Sequence, residues 1–246
     1  MFIEPIEFHL PVVSSTSDYA KELLATYPYV FVSAQHQTHG RGRNGKSWEG
    51  DHQANAYCSI GISHSNEESI EELSAYMARG ALTVLDVITT LHPDLITRLK
   101  YPNDVQVRTT SGWAKLAGVL VEHDFRGQFC NSTVVGIGIN INQELFPDTI
   151  TQPCTSLRLQ ELYTDVDVVI TMIRQAFSRW RTRTWVDVHE AWVKSLNLEA
   201  KQLQTIDDEG TWTAQRILPD GRLIIRHDVT LIERTISDGD TLRYKD

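Results

Sequence analysis

The sequence predicts an α+β fold with a small antiparallel β-barrel at its C-terminal end. Through residue 197, apolar strand-like runs are interspersed with helical segments. From Leu198 to Asp246 apolar residues recur with period two, and Asp–Gly turn signals separate short strands. A chain of 246 residues can also bury a sizeable core. We therefore predict a catalytic or binding domain over residues 1–197 and a barrel domain over residues 198–246.

The elements of the first domain follow from local patterns. Hydroxyl residues at positions 14–18 are candidate caps for a first helix, and capping alone explains them, although such groups can also face a ligand. A polar hairpin loop is expected at 108–114 and an irregular segment at 146–155. Strands are predicted at 2–13, 29–32, 55–63, 95–101, 105–107, 115–121 and 134–142, and later helices at 67–90, 166–183 and 186–196.

Composition excludes several classes of protein. The formal net charge of -9 is opposite to the broadly basic footprint of a nucleic-acid-binding protein. Three widely spaced cysteines lack a metal-ligand pattern and indicate reduced thiols. Neither a signal peptide nor an apolar run long enough for a membrane span is evident. We expect a cytoplasmic protein that binds neither DNA nor a membrane.

One stretch is locally basic and rich in glycine. Residues 37–48 read QTHGRGRNGKSW, which places Arg41, Arg43 and Lys46 among three glycines and ends at Trp48. Glycines allow a backbone to approach a ligand closely, and guanidinium groups donate to carboxylate or phosphate oxygens. The stretch also matches G-x-G-x-x-G, but no helix follows it, so the dinucleotide-binding interpretation fails. It is either a cationic flap over an anionic ligand or a mobile surface loop. As a flap without burial or partners for its charges, residues 39–47 should be disordered before ligand binds.

A second group of candidates flanks two buried strands. Lys115 precedes the apolar run 116–121, where a lysine either enters a site or extends to solvent. Gly136 and Gly138 interrupt the apolar run 134–142, as happens where another backbone or a ligand comes close.

Four blocks in order closely resemble the signature of the biotin–protein ligase family, also called biotin-[acetyl-CoA-carboxylase] ligases. They are GRGRNGKSW at 40–48, KYPND at 100–104, KLAGVLVE at 115–122 and GIGIN at 136–140. The resemblance implies a mixed β-sheet flanked by helices, joined to a C-terminal SH3-like barrel. It also implies a ligase-only type of chain, because the catalytic pattern begins close to Met1 and leaves no room for the DNA-binding domain of the regulatory members.

The resemblance implies a chemistry and its ligands. Biotin and ATP would form biotinyl-5′-AMP with the help of Mg²⁺, and biotin would then pass to a lysine of a biotin carboxyl carrier protein. Lys115 and Arg43 are the expected catalytic residues, and Asp104 is the candidate ligand for Mg²⁺. Biotin is expected to contact Ser15, Thr16, Ser17, Gln37, Gly40, Arg41, Gly42, Arg43, Trp48, Lys115 and Gly118, and ATP to contact Arg41, Arg43, Lys100, Asn103, Asp104, Lys115 and Asn140.

Some positions depart from the family pattern. Ser17 replaces a longer amide, His39 a small residue and Tyr101 a tryptophan, while residues 146–155 diverge where the family often orders a loop over adenine. Two alternatives remain, a lipoate or octanoate ligase or transferase of the same superfold and a non-catalytic biotin-binding module. The chain would be a monomer or a homodimer.

Overall fold

The computed structural model describes residues 4–244 except 49, 52, 66 and 67. A seven-stranded sheet in the order β1-β2-β3-β7-β6-β5-β4 forms its centre. Its strands are β1 (Ile6–Leu10), β2 (Tyr29–Ala34), β3 (Asn55–Ser63), β4 (Thr97–Lys100), β5 (Asp104–Thr109), β6 (Gly112–Arg126) and β7 (Phe129–Asn140). The pair β1–β2 is parallel and the other pairs are antiparallel. The sheet is therefore mixed, as predicted.

Helices cover both faces of this sheet. α1 (Thr16–Leu23) packs on one face against Val30, Val32 and Val134. α2 (Ile70–Leu91), α3 (Val166–Arg181) and α4 (Trp185–Leu196) lie on the opposite side, where the main core forms. Period-two alternation sends neighbouring residues such as Val30 and Phe31 to opposite faces. Both faces of β2 and β3 are buried for this reason.

A second sheet lies at the C-terminal end. It is antiparallel, in the order β11-β10-β9-β8-β12. Its strands are β8 (Gln202–Thr205), β9 (Asp208–Ile217), β10 (Leu223–His227), β11 (Glu233–Ile236) and β12 (Leu242–Tyr244). The α+β class with a small C-terminal β unit is thus confirmed, while the boundary at residues 197 and 198 stays a prediction.

Tyr101 joins the two sheets. Its side chain is buried, and its Oη lies 3.0 Å from the carbonyl oxygens of both Gly221 and Ile236. Its backbone N–H donates to Oη of Tyr244, 2.8 Å away. Burial raises the pKa of the Tyr101 phenol, so the hydroxyl stays protonated and able to donate. The residue that departs from the family pattern therefore holds the small sheet on the large one.

Several local predictions were wrong. The polar loop expected at 108–114 is mostly strand, since β5 extends to Thr109 and β6 begins at Gly112. The residues Asp208, Glu209 and Gly210 are a turn signal, but the turn lies at residues 206 and 207 instead. The apolar pattern of the helix at 166–183 predicts Val168 in the core, but Val168 is exposed, whereas its neighbour Val169 is fully buried. In each case pairing or packing with distant residues decided the outcome.

Within the described ranges, no helix is both long and apolar enough to cross a membrane.

Candidate active site

The floor of the candidate site is a patch of backbone without side chains. On β6 and β7, Gly118, Gly136 and Gly138 point to the face that α1 covers, while Val135 and Ile137 point into the main core. The indole of Trp48 lies directly on this patch. A Cβ at Gly138 would lie 2.5–2.7 Å from three indole atoms, and one at Gly118 would lie 3.0 Å from the ring. The glycines create a slot that only a flat group can enter.

One end of the slot carries neutral hydrogen-bonding groups. The backbone N–H and Oγ1 of Thr16 donate to Oε1 of Gln37 at 2.8 and 2.9 Å. Oγ of Ser59 lies 2.8 Å from Thr16 Oγ1 and 3.0 Å from Ser17 Oγ. Ser17 also sits over Gly136, where a Cβ would approach its hydroxyl to 2.9 Å. These hydroxyls and amides suit a neutral polar ligand group.

Ser15 has the structural role that its sequence predicts. It is the N-cap of α1, and its Oγ accepts from the backbone N–H of Asp18 at 3.4 Å. Ser15 is buried, and together with Thr16 and Ser17 it lines the cavity, so the first turn of α1 forms part of the cavity wall.

The basic stretch forms a hairpin-like flap over the slot, which we define as residues 40–48. Gly42 N–H donates to Lys46 O at 2.7 Å, and Trp48 N–H donates to Gly40 O at 2.9 Å. The tip needs its Asn–Gly pair, because Asn44 and Gly45 have φ values of 54° and 72°. Gly40 does not line the cavity. It is the crowded base of the flap, where a Cβ would lie 2.3 Å from Trp48 O.

The flap cations all have carboxylate partners. Arg41 bridges Asp18 and Glu122 at 2.6 and 2.7 Å. Arg43 Nη2 lies 3.1 Å from Asp238 Oδ1, and Lys46 Nζ lies 2.7 Å from Asp240 Oδ2. The sequence argument for a disordered flap assumed that these charges lacked partners. That premise is wrong, because residues from α1, β6 and the C-terminal sheet supply them.

Lys115 lies in the cavity and does not extend to solvent. Its Nζ is 2.8 Å from Asp104 Oδ1 and 5.2 Å from the centre of the Trp48 ring. A bulge places it there. Val105 pairs with Ala117 but Gln106 pairs with Lys115, so Leu116 is an extra residue and Lys115 turns to the face of Gly118. In this structure the side chains of Trp48 and Lys115 occupy the space over Gly118, where biotin was expected to lie.

The polar residues at 100–104 lie beside Lys115. Both ends of the Asn103 amide are engaged, since Nδ2 donates to Val119 O at 2.9 Å and Oδ1 accepts from Arg43 at 3.0 Å. Burial lowers the pKa of Lys100, and the attraction of Asp104 only partly opposes this shift. Cations thus crowd this end of the cavity.

The segment 146–154 forms the remaining wall. Lys115 N–H donates to Pro153 O at 2.8 Å, and Thr155 N–H donates to Lys115 O at 2.9 Å, so the segment runs beside β6. Asn140 is buried, and its Nδ2 donates to Thr155 O at 3.1 Å, which holds the segment in place. Burial raises the pKa of the Cys154 thiol in this wall.

All the predicted site residues except Gly40 line one cavity of about 780 Å³. This volume falls within the range of small-molecule sites. The sequence analysis missed Ser59, which joins the hydroxyl network, and Gln106, Asp240 and Arg243, which line the cavity. The residues Asp240 and Arg243 come from the C-terminal sheet, and nothing local in their sequence points to a site. The arrangement combines a neutral polar end, a flat slot and a cationic end, as expected for an enzyme that activates a carboxylic acid with a nucleotide.

Residues 9–140 match the Biotin/lipoate A/B protein ligase family, and the chain belongs to that family. It is 33% identical over 156 residues to the biotin–[acetyl-CoA-carboxylase] ligase of Mycobacterium tuberculosis, a match that covers 60% of this chain and 54% of that protein. It is 25% identical over 228 residues to the bifunctional ligase/repressor BirA of Escherichia coli, covering 89% of this chain and 68% of BirA. The chain thus spans about half the length of the Mycobacterium tuberculosis relative.

Solved structures of ligases share the fold. The biotin protein ligase from Aquifex aeolicus in complex with biotin and ATP superposes with a TM-score of 0.74 at 23% identity, covering 98% of this chain and 99% of that chain. The biotin protein ligase from Leishmania major in complex with biotinyl-5-AMP gives 0.63 at 22% identity, covering 96% and 100%.

Proposed function

We propose that this chain is a biotin–protein ligase that forms biotinyl-5′-AMP from biotin and ATP and transfers biotin to a carrier lysine. One observation carries the proposal. Lys115, the neutral hydroxyl and amide groups and the cationic flap all line the same cavity. Family membership and the M. tuberculosis relative, which is a biotin–[acetyl-CoA-carboxylase] ligase, support the same reaction.

In the first half-reaction two anions must meet. A biotin carboxylate oxygen attacks the α-phosphorus of ATP, and the bond to the β-phosphate oxygen breaks to release pyrophosphate. Lys115 supplies a point charge where the carboxylate and α-phosphate oxygens converge, which stabilises charge that develops in the transition state. Its ion pair with Asp104 fixes the ammonium group in this position before substrates arrive.

The biotin end follows from the neutral groups. Thr16 and Gln37 already bond to each other through Gln37 Oε1, so the Gln37 Nε2 donors and the hydroxyls of Ser15 and Ser17 are the groups assigned to the ureido ring. Trp48 would cover the acyl chain over Gly118 and exclude water from the adenylate. To do so, its indole must lift from the glycine patch that it contacts here.

The nucleotide end follows from the cations. Arg43, Lys100 and Lys115 would contact phosphate oxygens, and Arg41 would add charge at the rim. Asn103 would act by orienting Arg43, and Asn140 by holding the wall segment 146–154, which we assign to the adenine side.

The chain's own donors for Mg²⁺ are few. Within the described residues no group of three His, Cys, Asp or Glu side chains is positioned to hold a metal ion. Asp104 is a carboxylate beside the phosphate-binding cations, and Mg²⁺ commonly uses one or two carboxylates together with substrate phosphates and water. Asp104 therefore fits as the single protein ligand. When bound, Mg²⁺ would neutralise phosphate charge.

The second half-reaction needs an acceptor. The neutral amine of a carrier lysine attacks the carbonyl carbon of biotinyl-5′-AMP, an amide bond forms as the nitrogen loses a proton to solvent, and AMP leaves with the electrons of the anhydride bond. We propose the biotin carboxyl carrier domain of a biotin-dependent carboxylase as the partner. The name of the M. tuberculosis relative, a biotin–[acetyl-CoA-carboxylase] ligase, supports this choice.

The test is biotinylation in a defined mixture. The protein is incubated with biotin, ATP, Mg²⁺ and a carrier domain, and the intact mass of the carrier is measured. We expect one biotinyl group to be added, only when ATP is present. Lys115→Ala should abolish most of the signal, and the matched control Lys194→Ala, which changes an exposed lysine on α4, should not.

Each other outcome contradicts the proposal in a different way. Preferential transfer of a lipoyl or octanoyl group would place the chain in the lipoate branch of its family. Biotin binding without pyrophosphate release would indicate a binding module.

A further inference from the structure

The flap contacts the C-terminal sheet as well as the slot beneath it. Three flap residues reach one short segment, 238–240, which precedes β12. Arg43 pairs with Asp238 at 3.1 Å, and Lys46 pairs with Asp240 at 2.7 Å. Asn44 Nδ2 donates to Asp238 Oδ2 at 2.7 Å and to Asp240 Oδ2 at 3.2 Å. Side chains nearly two hundred positions apart therefore form one charged junction.

The segment 238–240 is fixed from beneath. Gly239 lies so close to the first domain that a Cβ there would come within 1.8 Å of Tyr101 O. Asp238 also caps the following turn, because its Oδ1 accepts from Asp240 N–H at 2.9 Å. Arg243 donates to Asp240 O at 2.7 Å. Close packing at Gly239 and two backbone hydrogen bonds therefore fix the position of both carboxylates.

Asp240 is charged in this position. Partial burial alone would raise its pKa, but the hydrogen bond and charge of Lys46, the hydrogen bond from Asn44 and the charge of Arg43 together outweigh that effect, so the pKa is lowered. Asp240, Arg43 and Lys46 line the same cavity. Arg43, the flap cation assigned to phosphate, and its neighbour Lys46 are therefore already paired with carboxylates of the segment 238–240.

We propose that Asp238 and Asp240 are positioning residues, an aspartate latch that holds Arg43 and Lys46 over the cavity until nucleotide phosphates replace the carboxylates. The nucleotide part of this inference rests on the proposed function, whereas the latch itself does not. The exchange is chemically matched, because both carboxylate and phosphate oxygens accept from guanidinium and ammonium groups. The latch makes the segment 238–240 of the C-terminal region part of the closed flap.

Trypsin measures the latch without any ligand. Arg41, Arg43 and Lys46 are cleavage sites in the flap, and their cleavage splits the chain into a small N-terminal fragment and a large remainder. In Asp238→Asn/Asp240→Asn every cleavage site remains, but the carboxylate charge is lost. We expect flap cleavage to rise about five- to tenfold, because proteolysis tracks the population of the open form. Unchanged cleavage would overturn the latch.

Controls separate the latch from a general loss of structure. Asp207→Asn removes a carboxylate that pairs with Arg234 elsewhere on the same sheet and should leave flap cleavage unchanged. Asp238→Glu/Asp240→Glu keeps the charge and should restore slow cleavage. Added NaCl should speed cleavage of the wild type but have little effect on the Asn variant, since exposed pairs are screened by salt. Equal salt dependence in both proteins would show that the aspartates do not act through charge.

Ligand tests the exchange. With biotin, ATP and Mg²⁺ present, the wild type and Asp238→Asn/Asp240→Asn should be protected equally, because phosphates then hold the cations. A variant that stays sensitive would show that the aspartates are needed in the liganded state too, and the exchange would be wrong. If ligand protects neither protein, the proposed function fails, while the ligand-free comparison still decides the latch.

Discussion

Replacing Lys115 with alanine tests the proposed chemistry most directly. The change removes an ammonium group whose Nζ lies 2.8 Å from Asp104 Oδ1, and its side chain is only 14% exposed. Loss of one preorganised charged donor usually lowers the rate by on the order of 10²–10³, or about 2.7–4 kcal/mol in transition-state stabilisation. We expect biotin-dependent pyrophosphate release to fall by that factor.

The structure also predicts a cost in stability. Without Lys115, the mostly buried carboxylate of Asp104 loses its ion-pair partner, which costs about 3–5 kcal/mol. A domain with a typical stability of about 5–15 kcal/mol would remain folded. The packing of the lysine side chain alone would give almost no cost, and the ion pair with Asp104 is the source of this loss of stability.

A double variant separates the two effects. Lys115→Ala/Asp104→Asn removes the unpaired charge and should recover part of the free energy of unfolding in urea. It should not recover the rate, since the charged donor is still missing. Pyrophosphate release near the normal rate in Lys115→Ala, or recovery of rate together with stability, would refute the reasoning.

Three further predictions concern the flap, the slot and the cationic end. Arg43→Ala removes the bonds to Asn103 and Asp238, so the adenylate should escape faster and lysines of unrelated proteins should be labelled. The mass of a bystander protein measures this labelling, and a bystander without added biotin would contradict the prediction. Gly138→Ala adds a Cβ to the floor of the slot, where the acyl chain of biotin would lie once Trp48 has lifted, so biotin affinity should fall about tenfold or more by calorimetry, on the scale of overpacking costs of about 1–3 kcal/mol, and unchanged affinity would argue against the slot. Burial lowers the pKa of Lys100, so Lys100 loses its proton as pH rises towards the ordinary value of 10.5, and ATP should then bind more weakly. Lys100→Arg should keep its charge and delay that weakening, and identical profiles of KM for ATP against pH would contradict this assignment.

The sequence predicted what depends on local patterns and on short blocks. Alternation gave β3 at Asn55–Ser63 with its bounds correct, and Ser15 caps α1 as its position indicated. Blocks such as GIGIN carry their own geometry, because residues two apart on a strand share a face and bring Gly136 and Gly138 together.

Other features depend on pairing between distant residues. Lys115 and Gly118 are three positions apart, so regular alternation would place them on opposite faces of β6. Only the extra residue at Leu116 turns both to the cavity, and that bulge exists because β5 pairs out of step with β6. Asn103 was expected to contact ATP because of its block, and only the fold shows that its amide bonds to Val119 and Arg43.

The flap shows why overall charge and local charge must be considered together. Its three cations stand out against a net charge of -9, which suggested a vacant site for an anion. In the fold, the same acidic background supplies Asp18, Glu122, Asp238 and Asp240 as partners. An anionic ligand must therefore displace these carboxylates from the flap cations. A ligand with a single negative charge gains little binding free energy, because it only replaces one ion pair with another. A triphosphate offers several charges at once to cations that already lie close together, and it gains more from that exchange. For the proposed ligase, selectivity for a nucleotide over biotin's carboxylate alone would then depend on the carboxylates that the flap already pairs with, and not on the flap sequence by itself.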